Sequence, residues 1–395
     1  MMHENGTEEK TGIGPKRTGK EKQELMTLLS GVRPLNHEAM EEAGRRLNAI
    51  AKPIGSLGLL ETYLIRIAGI REDAGPFFPE RSALAVMCGD HGVVEEGVTQ
   101  TGQEVTGIVA ENFTSGQTSV AVMCRISGTD LFPVDMGMIG ERRGVPDPVP
   151  FRILDRKIQK GTKNLAKEPA MTEEDCIRAL SAGISLAGDL KAMGYQILAT
   201  GEMGIGNTTP SSALASVFLG LSPEEATGRG AGLSDEGLLR KRRVVKQAME
   251  RFFTAHPEFG KETASPEDAV CLMAELGGFD LAGMTGLFLG GALHRIPVVM
   301  DGFISAVSAL TAVRICPAAR DFILASHTSS EPAAIRVMEA LEMKAPMDFG
   351  MHLGEGSGAV ALLPVLSMAA AVYRDMSTFG DIQVEPYKDY EGEKK

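Results

Sequence analysis

The spacing of apolar residues changes near residue 75. Before it, they recur at helical intervals. Met40, Leu47 and Ile50 share one face of NHEAMEEAGRRLNAIA, which Asn36 is placed to cap, and Leu57, Leu60, Leu64, Ile67 and Ala68 repeat the period in LGLLETYLIRIAGI. GPFFP, Gly75 to Pro79, then breaks the pattern and marks a boundary. Beyond it, short apolar runs end in small or polar residues: ALAVMC in GDHG, DLFPV in DMGM, YQILAT in GEMGIGNTT, IPVVM in DGF and DFILA in SHTSSEP. Such runs suit parallel strands covered on both faces. Helical stretches lie between them, among them GIVAENFTSGQTSVAVMCRIS and DEGLLRKRRVVKQAMERFF. This alternation predicts a doubly wound, mostly parallel α/β sheet of Rossmann-like type. Ligands of such sheets sit at the carboxyl ends of the strands, where the five polar clusters would gather.

Composition narrows the class. At 395 residues the chain can build one large domain and a smaller one, and the net charge of -12 argues against a nucleic-acid surface. Cys88, Cys124, Cys176, Cys271 and Cys316 are odd in number and form no CxxC pair, so reduced, mostly buried thiols are expected. The N-terminal MMHENGTEEKTGIGPKRTGKEK is polar, has no apolar signal-type core, and is expected to be disordered over residues 1–20. No apolar run is read as a membrane span, and the expectation is a soluble, cytoplasmic protein without a membrane partner.

Several common signatures are missing. Glu follows both GK dipeptides, so there is no Walker A loop, and neither GxSxG nor HExxH occurs. What remains is a set of loops. GEMGIGNTTPSSA, Gly201 to Ala213, offers glycines for close ligand approach, and Asn and Thr at a helix start suited to phosphate. Its Glu202 would repel an anion and suits a sugar hydroxyl or a cationic ring; a simple helix cap is the other reading. In CGDHGV, Asp90 and His91 are two ligands too few for a metal site and suit ligand contact or second-sphere support. In SHTSSEP, Ser329 and Ser330 are equally suited to capping a helix or contacting phosphate. In GRGAGLSDEGLLRKR, Ser234 and Asp235 look like caps, and one of Arg240, Lys241, Arg242 and Arg243 can reach an anion while the rest face solvent. In MHLGEGSGAVALL, Glu355 lies between two glycines before a long apolar helix. A structural acid rarely needs glycine on both sides, and a substrate-facing carboxylate explains the pattern better.

Taken in order, KPIGSLGLLE, GDHGV, VDMGM, GEMGIGNTTPSSA, GRGAGLSDEGLLRK, LGGFDLAGMTGLFLGGA, VVMDGFIS, SHTSSEP and HLGEGSGA resemble the nicotinate-nucleotide–dimethylbenzimidazole phosphoribosyltransferase family. The resemblance implies a large α/β domain, taken as 76–364, with a small helical domain built from the chain ends, 21–75 with 365–390, in a homodimer. It implies transfer of 5-phosphoribose from nicotinate mononucleotide to an azole base in cobalamin lower-ligand synthesis, with no cofactor and no metal. On this resemblance Glu355 is the general base and Glu202 lies by the nucleotide. Gly204, Gly206, Asn207, Thr208, Lys241 and Ser329 bind the nucleotide, and Asp90, His91, Thr99, Gln103 and Leu353 bind the base. The chain departs from the family after GDHGV: Thr99 stands for a serine, Thr101 for an aromatic residue and Gly102 for a proline. That leaves the base open among a benzimidazole variant, a purine and a phenol. A nucleosidase using the same nucleotide and a non-catalytic nucleotide sensor remain alternatives.

Overall fold

All five apolar runs read as strands lie side by side in one parallel sheet. The computed structural model describes residues 15–77, 79–140, 152–259 and 265–387. Helices α1 (Pro15–Leu29), α2 (His37–Ala49) and α3 (Leu59–Arg71) lead into β1 (Ser82–Gly89). Next come α4 (Glu104–Thr114), α5 (Ser119–Ser127), β2 (Thr129–Gly137), β3 (Leu154–Asp155), α6 (Glu173–Ala192) and β4 (Ile197–Met203). They are followed by α7 (Thr208–Leu219), α8 (Pro223–Ala226), α9 (Asp235–Ala255), α10 (Pro266–Leu276) and α11 (Phe279–Leu293). The chain then runs through β5 (Val298–Met300), α12 (Phe303–Ile315), β6 (Ile323–Ala325), α13 (Ala334–Ala340) and α14 (Ser357–Asp375). The strand order is β3-β2-β1-β4-β5-β6, with every pairing parallel.

Every residue of β1 is buried. Ala83, Ala85 and Met87 enter one core, with α1, α6, α7 and α9–α13, while Leu84, Val86 and Cys88 enter the other, with α2–α5 and α14. This two-sided cover is why the strands read as continuous apolar runs rather than alternating ones. The strand order reverses between β1 and β4, so the crevice outside their carboxyl ends is the topological switch point.

Local signals set the helix ends. Asn36 accepts a hydrogen bond from Ala39 N at 2.9 Å, and Ser234 accepts from Gly237 N at 3.1 Å. The stretch read as one helix between residues 107 and 127 is two, because Gly116 adopts a φ of 73° between α4 and α5. Helix α1 starts at Pro15, inside the tail expected to be disordered, and residues 1–14 lie outside the described residues. The domain boundary expected at residue 364 falls inside α14: Leu362 and Leu363 before it and Leu366 and Ala370 after it enter the same core. That helix is also long and apolar enough to cross a membrane by composition, contrary to expectation, but 56% of its apolar window is buried inside the protein. All five cysteines are free thiols, and four of them are buried.

Candidate active site

At the switch point lies a cavity of about 340 Å³ on which the exits of β4, β5 and β6 converge, while the GDHG and DMGM clusters after β1 and β2, expected to gather with them, are not on its lining. From the end of β4 come Glu202, Gly204, Gly206, Asn207 and Thr208. The Gly228–Leu233 turn gives Arg229, α9 gives Lys241, and the exit of β5 gives Asp301. His327 and Ser329 follow β6, and Leu353 and Glu355 precede α14.

Glu355 sits on a turn in which Gly354, Glu355 and Gly356 all have positive φ, of 82°, 62° and 90°. A non-glycine residue held there costs of order 1–3 kcal/mol, so something must hold it in place. Asp301 does so. Its carboxylate accepts from Gly356 N, Gly358 N and Ala359 N at 3.1, 2.8 and 3.0 Å, closing the free N–H groups at the start of α14. Gly201 lets the turn lie directly on β4, because a Cβ there would come within 2.5 Å of Glu355 O. The Glu355 carboxylate in turn accepts from Val120 N at 3.1 Å, at the start of α5. Burial raises its pKa above the ordinary carboxylate value, against the lowering by Val120 N–H, and the Asp301 charge adds to the rise.

Glu202 is buried beside this turn. Its Oε1 accepts from Glu355 N at 3.4 Å, and its Oε2 accepts from Asn207 Nδ2. Burial pushes its pKa up to about 7; the Asn207 bond pulls it down, and the charges of Asp280 and Asp301 push it up. Asp301 is raised as well, mainly by burial. Three ionisable carboxylates, each made easier to protonate, therefore crowd one end of the cavity.

Two cations, with Glu331 near one of them, also line the cavity. Lys241 is only 1% exposed; its Nζ donates to Thr208 Oγ1 at 2.7 Å and Gly228 O at 3.3 Å. Burial lowers its pKa to about 8, with Glu331 opposing that shift. Arg229, paired with Asp235, is the other. Thr208 begins α7, where free N–H groups and the helix dipole favour an anion. The Asn207 side chain does not cap α7. It turns to the carboxylates of Glu202 and Asp280 instead.

The cavity thus brings together Glu355, Glu202, Gly204, Gly206, Asn207, Thr208, Lys241, Ser329, Thr99 and Leu353. Three residues placed with the base are not on its lining. Asp90 turns its carboxylate to Ile139 N at 2.7 Å, His91 is buried against Asp280, and Gln103 donates to His91 O at 2.7 Å. They brace the loop after β1 from behind. Nor do Ser329 and Ser330 cap a helix, because α13 starts later, behind Ala333, with no side-chain cap bond. Lys52 and Glu61, from KPIGSLGLLE, form a buried ion pair at 2.8 Å away from the lining. Sequence reasoning missed Asp301, Asp280 and Arg229 as individual residues. The available signal was an acid beside or within an apolar element, at the end of VVM for Asp301 and in the first turn of α11, whose other residues are apolar or small apart from Thr285, for Asp280. Among the described residues, no group of three or more His, Cys, Asp or Glu side chains is placed to hold a metal ion.

A doubly wound sheet with an acidic and a cationic pole at its switch point defines a nucleotide-handling α/β protein. A phosphoribosyltransferase family model matches residues 32–384. The nicotinate-nucleotide–dimethylbenzimidazole phosphoribosyltransferase of Ruminiclostridium cellulolyticum is 43% identical over 92% of this chain and 98% of its own, and that of Acetivibrio thermocellus is 41% identical over 92% and 99%. A crystal structure of CobT from Thermus thermophilus superposes with a TM-score of 0.79 at 38% identity, covering 89% of this chain and all of that one. The chain belongs to the nicotinate-nucleotide–dimethylbenzimidazole phosphoribosyltransferase family.

Proposed function

We propose that the cavity transfers 5-phosphoribose from nicotinate mononucleotide to dimethylbenzimidazole or a related azole, releasing nicotinate and forming α-ribazole 5′-phosphate, a step of cobalamin lower-ligand synthesis. The observation that carries this reading is that Glu355 and the buried Lys241 line one cavity. Lys241, Arg229, Thr208 and the start of α7 take the phosphate, with Gly204, Gly206 and Ser329 in contact beside it. Glu202, held by Asn207, faces the ribose. The pyridinium ring is already an activated leaving group, so the chain has to orient the sugar, favour the cationic oxocarbenium character of the transition state and remove a proton. Buried carboxylates do the second. Glu355 does the third, accepting the azole N–H proton as the other ring nitrogen bonds to C1′ and the C1′–nicotinate bond breaks. Its raised pKa makes it a better proton acceptor once ionised.

Thr99 and Leu353 frame the base. Asp90, His91 and Gln103 act through the loop they hold. We further infer a homodimer working in the cytoplasm, on the family resemblance; exposed Ile126 on α5 and Met368 on α14 support pairing of two copies, and sedimentation velocity tests it. The function is tested by incubating the protein with nicotinate mononucleotide, with and without dimethylbenzimidazole. Azole-dependent nicotinate release is expected. Release without azole would make the protein a nucleosidase, and binding without turnover would make it a sensor.

A further inference from the structure

Behind the cavity wall lies a buried histidine–aspartate pair that this chemistry does not use. His91 follows the end of β1 and Asp280 opens α11. Both side chains are buried, with His91 Nε2 3.0 Å from Asp280 Oδ1. The contact is close but not aligned as a hydrogen bond, and among the described residues His91 Nδ1 has no hydrogen-bond partner. The other Asp280 oxygen, Oδ2, accepts from Asn207 Nδ2 at 3.1 Å, and the same nitrogen donates to Glu202 Oε2. One amide group therefore joins two carboxylates, Asp280 behind the wall and Glu202 in the cavity.

Two anions drawn to one amide repel each other, and burial strengthens the repulsion. On the far side of Asp280, Oδ1 accepts from Leu281 N at 2.9 Å in the first turn of α11, and His91 is the titratable group that touches it. The ring lies close against two glycine backbones: a Cβ added at Gly204 would lie 3.1 Å from Nε2, and one added at Gly278 would collide with Cε1. Burial works against the imidazolium, but Asp280, Asp90 and Glu202 outweigh it and hold its pKa above the ordinary histidine value. We propose that His91, paired with Asp280, is a positioning residue for the transfer reaction: it neutralises Asp280 so that Asn207 can hold Glu202 ionised and aimed at the nucleotide. The proposal rests on the functional reading above.

The groups facing this relay come from several elements. Asp280 (α11) and Asp301 (end of β5) face Glu202, as does the backbone N–H of Glu355; Asp90 and Cys88 flank it from β1 and its exit, and His327 lies 4.0 Å from Asp301. In His91→Gln the Asp280 charge is uncompensated, so Glu202 takes its proton at higher pH. In Asp280→Asn the histidine loses its counterion and becomes neutral, and in the double variant neither charge remains.

The test uses full-length wild type, His91→Gln, Asp280→Asn and the double variant. Calorimetry gives nicotinate mononucleotide affinity from pH 5.5 to 9, and steady-state rates give kcat and the azole KM. In His91→Gln the pH below which nucleotide affinity falls should move up by about one unit, with kcat reduced ~10-fold at pH 7 and the azole KM little changed. The double variant should bring that midpoint back towards wild type, which loss of a purely structural contact would not do. An unmoved midpoint in His91→Gln, or a double variant worse than either single one, overturns the proposal. Imidazole ¹⁵N spectra of the wild type, with the His91 signal assigned through its backbone correlations, give a readout independent of substrate and of variant folding. An imidazolium at pH 7.5 is expected, and a neutral ring sinks the proposal even if transfer is active. An imidazolium without transfer would instead remove the functional reading.

Discussion

The two poles of the cavity are built by opposite means. The cationic pole is local: Thr208 follows directly on the glycine loop, Gly228 and Arg229 share one turn, and Lys241 lies one helix further on, already bonded to Thr208 and Gly228. The acidic pole draws Glu202, Asp301 and Glu355 from three distant strand exits and buries them together, each with a raised pKa. One pole presents a cation already positioned by two hydrogen bonds before substrate arrives. The other holds like charges that gain most when a cationic sugar or a transferable proton enters. Binding energy is therefore expected to concentrate at the first pole and rate acceleration at the second.

The largest effect should come from the acidic pole. Glu355→Gln keeps the shape and removes the base, so kcat should fall about 10² to 10⁴-fold while the nucleotide KM changes little. The sign of the pH dependence follows from the raised pKa. Wild-type rate declines as pH drops through that raised value, because the protonated acid cannot accept the azole proton. The glutamine variant should lack this limb. Near-normal turnover with the limb intact would demote Glu355 to a structural residue and erase the contrast between the poles.

Lys241→Met should do the reverse. Loss of a charge-assisted contact worth about 1.5–3 kcal/mol predicts nucleotide binding ~10- to 100-fold weaker, with the azole KM unaffected. With the lysine pKa near 8 before phosphate binds, wild-type affinity should be full below that pH and decline above it, and the variant should lose this alkaline limb. Isothermal titration from pH 7 to 9 checks both statements. A kcat defect without an affinity defect would mean that Lys241 belongs with the chemistry.

The sequence showed the cationic pole in outline but not in register. Arg240, Lys241, Arg242 and Arg243 are indistinguishable as a charge run, yet Gly237, Lys241, Val244, Val245, Ala248 and Phe252 form the buried stripe of α9. A lysine at a core position of that period was the readable sign that it does something inside the protein. Glu355 was legible because glycines flank it. Asp301 was not: its work, holding three N–H groups more than fifty residues further on, exists only once β5 and α14 meet. Asp90, His91 and Gln103 were placed with the base by family resemblance, which carries no side-chain direction; the structure turns them to Ile139 N, Asp280 and His91 O, contacts that exist only once distant segments meet.

A smaller effect separates the helix start from the lysine within the cationic pole. Thr208→Val removes the hydroxyl that accepts from Lys241 while leaving the backbone N–H groups of α7 in place. One neutral hydrogen bond is worth about 0.5–1.5 kcal/mol, so nucleotide affinity should drop ~2- to 12-fold, with base affinity unchanged. Unchanged nucleotide affinity in calorimetry would assign the phosphate contact to backbone and lysine alone.

The smallest expected effect concerns which base enters. Thr99, Gln100 and Thr101 line the cavity on a strap tied across it, with Thr99 Oγ1 donating to Thr101 O at 2.8 Å and Gln100 Nε2 donating to Gly232 O. Thr101 is exposed, so a larger side chain there meets solvent rather than core. Thr101→Tyr would place an aromatic face where the family carries one. Aromatic pairing adds about 0.5–1.5 kcal/mol beyond burial, which predicts a ~2- to 12-fold gain in kcat/KM for dimethylbenzimidazole relative to imidazole. Nucleotide affinity should move little, because Lys241 and Thr208 keep the hydrogen bond they make to each other. A panel of benzimidazoles, purines and phenols measured on both proteins gives the answer. If the order of preference is the same for wild type and variant, base choice is set elsewhere on the lining, and Leu353 is the next residue to change.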